Sequence, residues 1–153
     1  MGWIFSRKAE YSDGEIDLIP VYLPPSGREL GFGAEREWRI TEHGKKKEIG
    51  RVTYRAGESE ALYYYGHIGY HIDPPYRGRH YALKACRLIR EEIARSGKSS
   101  VIITCDPDNA ASRKTCLELG CLWEGQVTVA EWLRKKYDIN DRKDRFVWTV
   151  SRG

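Results

Sequence analysis

Apolar and polar positions change their period several times along this chain, and each change predicts an element boundary. In "EREWRI" and "EIGRVTYR" apolar and charged residues alternate. That predicts strands from Glu37 to Thr41 and from Glu48 to Arg55, joined by a turn at His43-Gly44-Lys45. An earlier run, "EIDLIPVYL" from Glu15 to Leu23, reads as a first strand, broken by Pro24-Pro25-Ser26-Gly27. Gly57-Glu58-Ser59 turns the chain again, and the tyrosine-rich stretch from Ala61 to Ile72 is expected to be one long strand. Gly66 and Gly69 inside it point to a bulge or a close backbone approach. In "RHYALKACRLIREEIARSG" the period lengthens. Leu83, Cys86, Ile89, Ile93 and Ala94 fall on one helical face, and Gly97 ends the helix. "SSVIITCD" is a short buried strand, and "PDNAASRKTCLELG" a second helix. Asp106 or Asp108 is in position to cap that helix and Gly120 to end it. Two final strands, "CLWEGQVTVAEW" and "DRFVWTVSR", are separated by a charged linker from Arg134 to Asp144.

The order is β-β-β, helix, β, helix, β, β. A strand-helix-strand unit implies a parallel pair, here flanked by antiparallel strands. The fold class is therefore α+β, a mixed sheet with helices on its faces. With 153 residues, the expectation is a single domain, 1–153.

Composition narrows the function classes. The chain is 41% hydrophobic and 31% charged, as ordinary globular proteins are. No apolar run approaches the roughly 20 residues of a membrane-spanning helix, and no secretory signal opens the chain. Cys86, Cys105, Cys116 and Cys121 lack Cys-x-x-Cys spacing, so reduced thiols, a cytoplasmic location and no metal site are expected. Met1-Gly2 with Ser6 matches the loose myristoylation pattern, to which bulky Trp3, Ile4 and Phe5 lend little weight. A net charge of +4 is mild for a nucleic-acid binder. Lys45-Lys46-Lys47 reads as a solvated hairpin turn. What the charge allows is a small polyanion held by a few arginines.

The chemistry concentrates in "DPPYRGRHYA", between the tyrosine-rich strand and its helix. A helix N-terminus offers unpaired N–H groups and partial positive charge to an anion. Arg77 and Arg79 add planar donors suited to phosphate oxygens, and Gly78 lets the backbone approach closely. The loop lacks the Gly-Lys-Ser/Thr ending of a Walker loop and the extra glycines of a dinucleotide fingerprint. A solvated loop is the competing reading.

"IDPPYRGRHYALKACRLI" resembles the acyl-CoA loop of the GNAT superfamily of N-acyltransferases, Arg/Gln-x-x-Gly-x-Gly/Ala after a strand. Arg77 and Ala82 match its ends, and His80 stands where a glycine is usual. "DPDNAASRKTCLELGCLWEG" resembles the second signature, Asn-x-x-Ala/Ser followed by Leu-Gly-Phe. Asn109, Ser112, Leu119 and Gly120 match, with Cys121 in the phenylalanine place. The likeness runs from about Trp38 to Trp148 and is nearest to members acting on ribosomal-protein amino termini or polyamines. It implies a splayed sheet, parted between the strand ending at Ile72 and the strand from Ser99 to Cys105. Pantetheine would pair with Tyr70, His71 and Ile72, and the pyrophosphate would rest on Arg77, Gly78, Arg79, His80, Tyr81 and Ala82. Asn109 would touch the pantetheine arm, with Ser112 nearby.

The implied activity is direct transfer of an acetyl group from acetyl-CoA to a primary amine of a small molecule or peptide, in a ternary complex. No metal, nucleic acid or membrane enters this reading, and a homodimer is left open. The alternative is a non-catalytic CoA-binding or sensing module of the same fold. It draws on two departures. Cys116 stands where the family often has a tyrosine acid, and Thr104 where a carboxylate base is frequent. A strand N–H near Tyr70 is the candidate oxyanion donor. Candidate bases are His67 and His71, two alternations apart on the expected strand. Glu35, Glu37 and Tyr63 to Tyr65 are candidates for the acceptor cleft. Where the family has two roofing helices, this chain has only Pro24 to Glu35. A short roof, or one supplied by Arg134 to Asp144 or a partner chain, is expected, with an open site suited to a bulky or peptidic acceptor.

Overall fold

The computed structural model describes residues 8–22 and 28–151. Among these, eight strands form one sheet in the order β1-β2-β3-β4-β5-β6-β8-β7. The strands are β1 (Tyr11–Ser12), β2 (Ile16–Val21), β3 (Glu35–Glu42), β4 (Glu48–Arg55), β5 (Ile68–Ile72), β6 (Ser100–Cys105), β7 (Leu122–Thr128) and β8 (Arg142–Thr149). The helices are α1 (Glu60–Tyr65), α2 (Tyr81–Arg95), α3 (Ala110–Glu118) and α4 (Glu131–Lys136), with 3-10 turns at Arg28–Leu30 and Pro74–Tyr76. The α+β mixed sheet expected from the order of elements is what forms. The myristoylation pattern at Met1-Gly2 lies outside the described residues.

Burial follows the helical period in α2, where Tyr81, Leu83, Ala85, Cys86, Ile89 and Ile93 face the sheet. They meet Trp38, Ile40, Val52, Ile68 and Ile103 in the main core. Each large aliphatic side chain removed from water there contributes about 1.5–3 kcal/mol before conformational entropy is counted.

Four expectations are corrected. Ala61 to Ile72 is not one strand. Ser59 Oγ accepts from Leu62 N at 3.2 Å, an N-cap that starts α1, and Gly66 stops it at φ 78°. A β-carbon on Gly66 would lie 3.0 Å from Ile102 O, so α1 can pass this close to β6 only at a glycine. Tyrosine's preference for strands yields to that cap and to the burial of Ala61 and Leu62. Consequently His67 precedes β5 and does not share an exposed strand face with His71. The second helix is capped by Asn109, whose side chain accepts from Ser112 N, and not by Asp106 or Asp108. Finally, the strand expected to reach Trp132 ends at Thr128, and part of the charged linker is helix α4, anchored by buried Leu133.

The parting of the sheet has a direct cause. β5 stays paired with β4 as far as Ile72↔Gly50. β6 stays paired with β8 as far as Cys105↔Asp144. Between β5 and β6, the one parallel pair among the described strands, the register holds at Ile68↔Ile103 only. Beyond that point each strand follows its antiparallel neighbour, and a wedge opens.

The sheet's two faces are covered differently. Ile68, Tyr70 and Ile72 turn toward α2 and the main core. Gly69, of opposite parity, faces the Arg55 guanidinium, which lies 4.9 Å from the Phe32 ring. Phe32 belongs to a second apolar cluster with Leu30, Ala61, Leu62, Val129 and Leu133. The 28–30 turn, α1 and α4 thus make a thin cover on the far face. Tyr137 on Glu29 and Trp132 on Glu60 tie it together. The residues between β2 and β3 supply part of this cover through Leu30 and Phe32, and α4 supplies another part through Leu133.

Candidate functional site

The wedge ends at the loop that begins with Asp73. Pro74–Tyr76 makes a 3-10 turn, Gly78 follows at φ 83°, and His80 enters α2 at φ 61°, ψ 24°. Among the described residues His80 is the sole non-glycine with positive φ. Two left-handed residues either side of Arg79 curl the loop so that the free amides of the first α2 turn face the wedge. The tool of this curl is local: histidine tolerates the left-handed region better than most residues.

A cleft of about 230 Å³ occupies the wedge. Tyr70, His71, Ile72, Arg77, Gly78, His80, Tyr81, Ala82, Asn109 and Ser112 all line it. Tyr76, Ala111 and Thr115 line it too, and the sequence reading missed them. Ala111 and Thr115 lie within one turn of Ser112 on α3, a spacing that would have shown them. Arg79 is the one expected loop residue outside the lining. Its Nη1 is 3.3 Å from Glu42 Oε2, to which the Tyr81 hydroxyl also donates at 2.8 Å. That phenol contact, more than Arg79, holds the Glu42 carboxyl below its ordinary value.

Backbone geometry sorts the β5 groups. Asp73 N donates to Ile49 O, and Arg55 N to His67 O. By strict alternation Gly69 and His71 spend their main-chain groups on β4, while Tyr70 and Ile72 turn theirs toward the wedge. Only the side chain of His71 is therefore left for a guest, which corrects the expected use of its backbone. The Ile72 carbonyl is already taken by Arg77 Nε at 2.7 Å. This bond fixes the guanidinium at the mouth and leaves its terminal nitrogens available. Tyr70 N–H and C=O and Ile72 N–H remain as an unpaired edge able to accept an extended, amide-bearing ligand.

On the core side, the Tyr70 hydroxyl lies 2.8 Å from Ser112 Oγ and 3.8 Å from Cys116 Sγ. Burial, with lesser contributions from Cys116 and Cys86, pushes this phenol well above its usual range, so it stays protonated. The side-chain oxygen of Asn109 accepts from Ser112 N–H at 3.1 Å, and its amide N–H groups are not used in that bond. Cys116 is fully buried and outside the lining. Its hydrogen bond to Cys121, and then burial, push the thiol far up, which suits a core residue.

His67 is also outside the lining. Its Nδ1 accepts from Ile102 N at 3.0 Å, so Nε2 carries the proton and faces Glu58 Oε1 at 3.1 Å. Burial lowers its pKa despite Glu58. His71, with its side chain 60% exposed, lines the cleft as His80 does, and lies 3.7 Å from Asp73 Oδ1. The Thr104 hydroxyl is committed to Tyr64 O at 2.8 Å. Among the described residues no three His, Cys, Asp or Glu side chains converge as metal ligands would, and no helix is long and apolar enough to cross a membrane.

A mixed sheet parted at its one parallel pair among the described strands, with a helix N-terminus at the mouth of the parting, can take up an extended ligand that carries an anionic group. Residues 21–122 match the family model described as acetyltransferase (GNAT) domain. The match takes in well over half of the chain, and the chain belongs to the GNAT acetyltransferase-domain family. No curated protein matches it in sequence. Among solved structures, the microcin C7 self-immunity acetyltransferase MccE, in complex with acetyl-CoA and AMP, is similar at 22% identity. That likeness covers 80% of this chain and 63% of MccE, at a TM-score of 0.57. Ribosomal-protein-S5-alanine acetyltransferase from Vibrio fischeri is similar at 20% identity over 77% of this chain and 63% of its own, TM-score 0.60. Mycobacterium smegmatis RimJ, in complex with CoA-disulfide, is similar at 17% identity over 80% and 55%, TM-score 0.58. At such identities the likeness is one of fold, and this chain spans less than two thirds of each of these proteins.

Proposed function

We propose that this protein transfers an acetyl group from acetyl-CoA to a primary amine by direct transfer in a ternary complex. The observation that carries the reading is the coincidence of three features in one cleft. They are the unpaired edge at Tyr70 and Ile72, the anion-ready start of α2, and Arg77 locked at the mouth. Acetyl-CoA would supply the activated acetyl thioester. The amides from Gly78 to Ala82, with Arg77, suit its pyrophosphate. The backbone edge and the Asn109 amide suit its pantetheine. Tyr70 N–H is the donor assigned to the acyl oxygen, and Tyr70 Oη, held by Ser112, is assigned to protonate the leaving sulfur. His71, on the opposite face, is assigned to take the proton of the incoming amine.

The thin cover on the far face suits an acceptor larger than a free small amine. Several similar structures are acetyltransferases of ribosomal proteins, which is consistent with a peptide N-terminus. A cytoplasmic location fits such an acceptor. The test is acetyl-CoA turnover over a panel of peptides and polyamines. Activity confined to tiny free amines would overturn the acceptor reading.

One observation favours the second reading, a CoA-binding module without catalysis. Cys116, Thr104 and His67 are all committed to internal hydrogen bonds. Tight CoA binding, with no amine raising turnover above hydrolysis, would select it.

A further inference from the structure

The Lys45–Lys47 turn, which the sequence presents as a solvated hairpin, lies beside the mouth of the cleft. Lys47 Nζ is 5.5 Å from the centre of the Tyr76 ring, and Arg79 Cζ is 5.7 Å from the same ring. Tyr76 itself lines the cleft and is partly buried against the core. It serves as a post that holds one cation from the β3–β4 hairpin and one from the cofactor loop, in a setting where cation–π attraction restrains both. Glu42 at the end of β3 sets the approach of the two segments, since Lys45 (3.4 Å) and Arg79 (3.3 Å) both contact it. Lys47 forms no ion pair among the described residues, and Arg77 spends only its Nε.

Lys47, Arg77 and Arg79 therefore stand at or beside the mouth, where Glu42, Asp73 and Glu118 are the carboxylates in contact with its residues. Helix amides and Arg77 suit a pyrophosphate by themselves, and Lys47 and Arg79 on Tyr76 lie apart from them. We infer that Lys47 and Arg79, held by Tyr76, form a separate subsite for a phosphomonoester, the ribose 3′-phosphate of CoA. The inference rests on the acetyl-CoA reading above and makes the lysine turn part of the cofactor site. A dianionic phosphate placed between Lys47 and Arg79 gains charge-assisted hydrogen bonds from both, and Arg79 exchanges one carboxylate oxygen for phosphate oxygens.

The experiment compares CoA with 3′-dephospho-CoA by calorimetric titration of the full chain. The variants are Lys47→Met, Arg79→Met, the double variant and Tyr76→Leu, each checked for an unchanged melting curve. The wild type is expected to bind CoA about tenfold or more tightly than dephospho-CoA, a preference that shrinks as salt rises. Each single variant cuts the ratio several-fold, and the double variant brings it near one with dephospho-CoA affinity little changed. Equal binding of both compounds to the wild type overturns the subsite and leaves the CoA reading intact. A strong preference that survives the double variant also overturns it. Binding of neither compound overturns both.

Discussion

Replacement of His80 tests how the loop works, because residue 80 holds the first α2 amides in place through a backbone angle. At φ 61° and ψ 24° a non-glycine residue costs about 1–2 kcal/mol relative to the right-handed region. His80→Gly removes that strain but loosens the unfolded chain, which costs about 0.4–1 kcal/mol. It also loses the contact of His80 Nδ1 with Glu118 at 3.3 Å. With those side chains 51% and 34% exposed, that pair contributes no more than about 0.5 kcal/mol. The terms cancel to within about 1 kcal/mol, so glycine should leave stability nearly unchanged. His80→Val meets the opposite situation, since a β-branched residue is a true outlier in this region. About 2 kcal/mol should be lost, which lowers the melting temperature by about 5 °C in a chain of this size. Urea unfolding and CoA titration of both variants measure the two effects together. If the amide alone serves the phosphate, His80→Gly binds CoA within about twofold of wild type, and His80→Val at least about tenfold more weakly. A valine variant equal to wild type would show that the left-handed turn is dispensable. A glycine variant that folds but loses CoA would show that the imidazole ring, not the amide, holds the ligand.

Tyr70→Phe should lower kcat by about 10- to 100-fold with KM little changed, the signature of a lost proton donor. Because the Tyr70 phenol is held above 10, wild-type activity should show no loss from its ionisation up to about pH 10; equal kcat in the two proteins would remove Tyr70 from the reaction. His67 has a folded pKa below its ordinary 6.5. The unfolded chain therefore binds the extra proton, and stability present above 6.5 is lost as pH falls through that value toward the lower folded one. His67→Gln should flatten that acid slope in urea midpoints measured between about pH 7.5 and 5.5; an unchanged slope would mean other groups carry it. Cys116→Ala should cost about 1–2 kcal/mol of stability through a small cavity while turnover stays within about threefold. A hundredfold loss of turnover, with the fold intact, would return the leaving-group proton to the thiol.

Much of the fold could be read from local pattern. α2 carries its apolar stripe in the sequence, and β4 spans Glu48–Arg55 as the alternation predicts. Where the reading failed, short-range preference lost to a cap or to packing. Ser59 and Gly66 turn a tyrosine run into α1, and buried Leu133 makes helix α4 of part of a charged linker. The basic loop could be placed at the start of α2 because its signals lie in adjacent residues, a helix start and one glycine, while the left-handed turn at His80 came only from the structure. Tyr76 and Lys47 could not be placed together, because nothing in a linear chain places a hairpin turn 29 residues upstream against that loop.

The sequence by itself determined the order of elements, the parallel unit in the middle, and the basic loop that opens α2. These are set by residues within a helical turn or a strand of one another. Only the tertiary structure decided which groups the wedge offers. The edge at Tyr70 and Ile72 is free because β5 and β6 each remain with their outer partners. His67 is a core residue because β6 passes beside it. Arg77 points inward because the carbonyl of Ile72 captures its Nε. The first two outcomes depend on which distant strand lies alongside, and the third on how the loop after β5 folds back on Ile72; local preference carries no information about either.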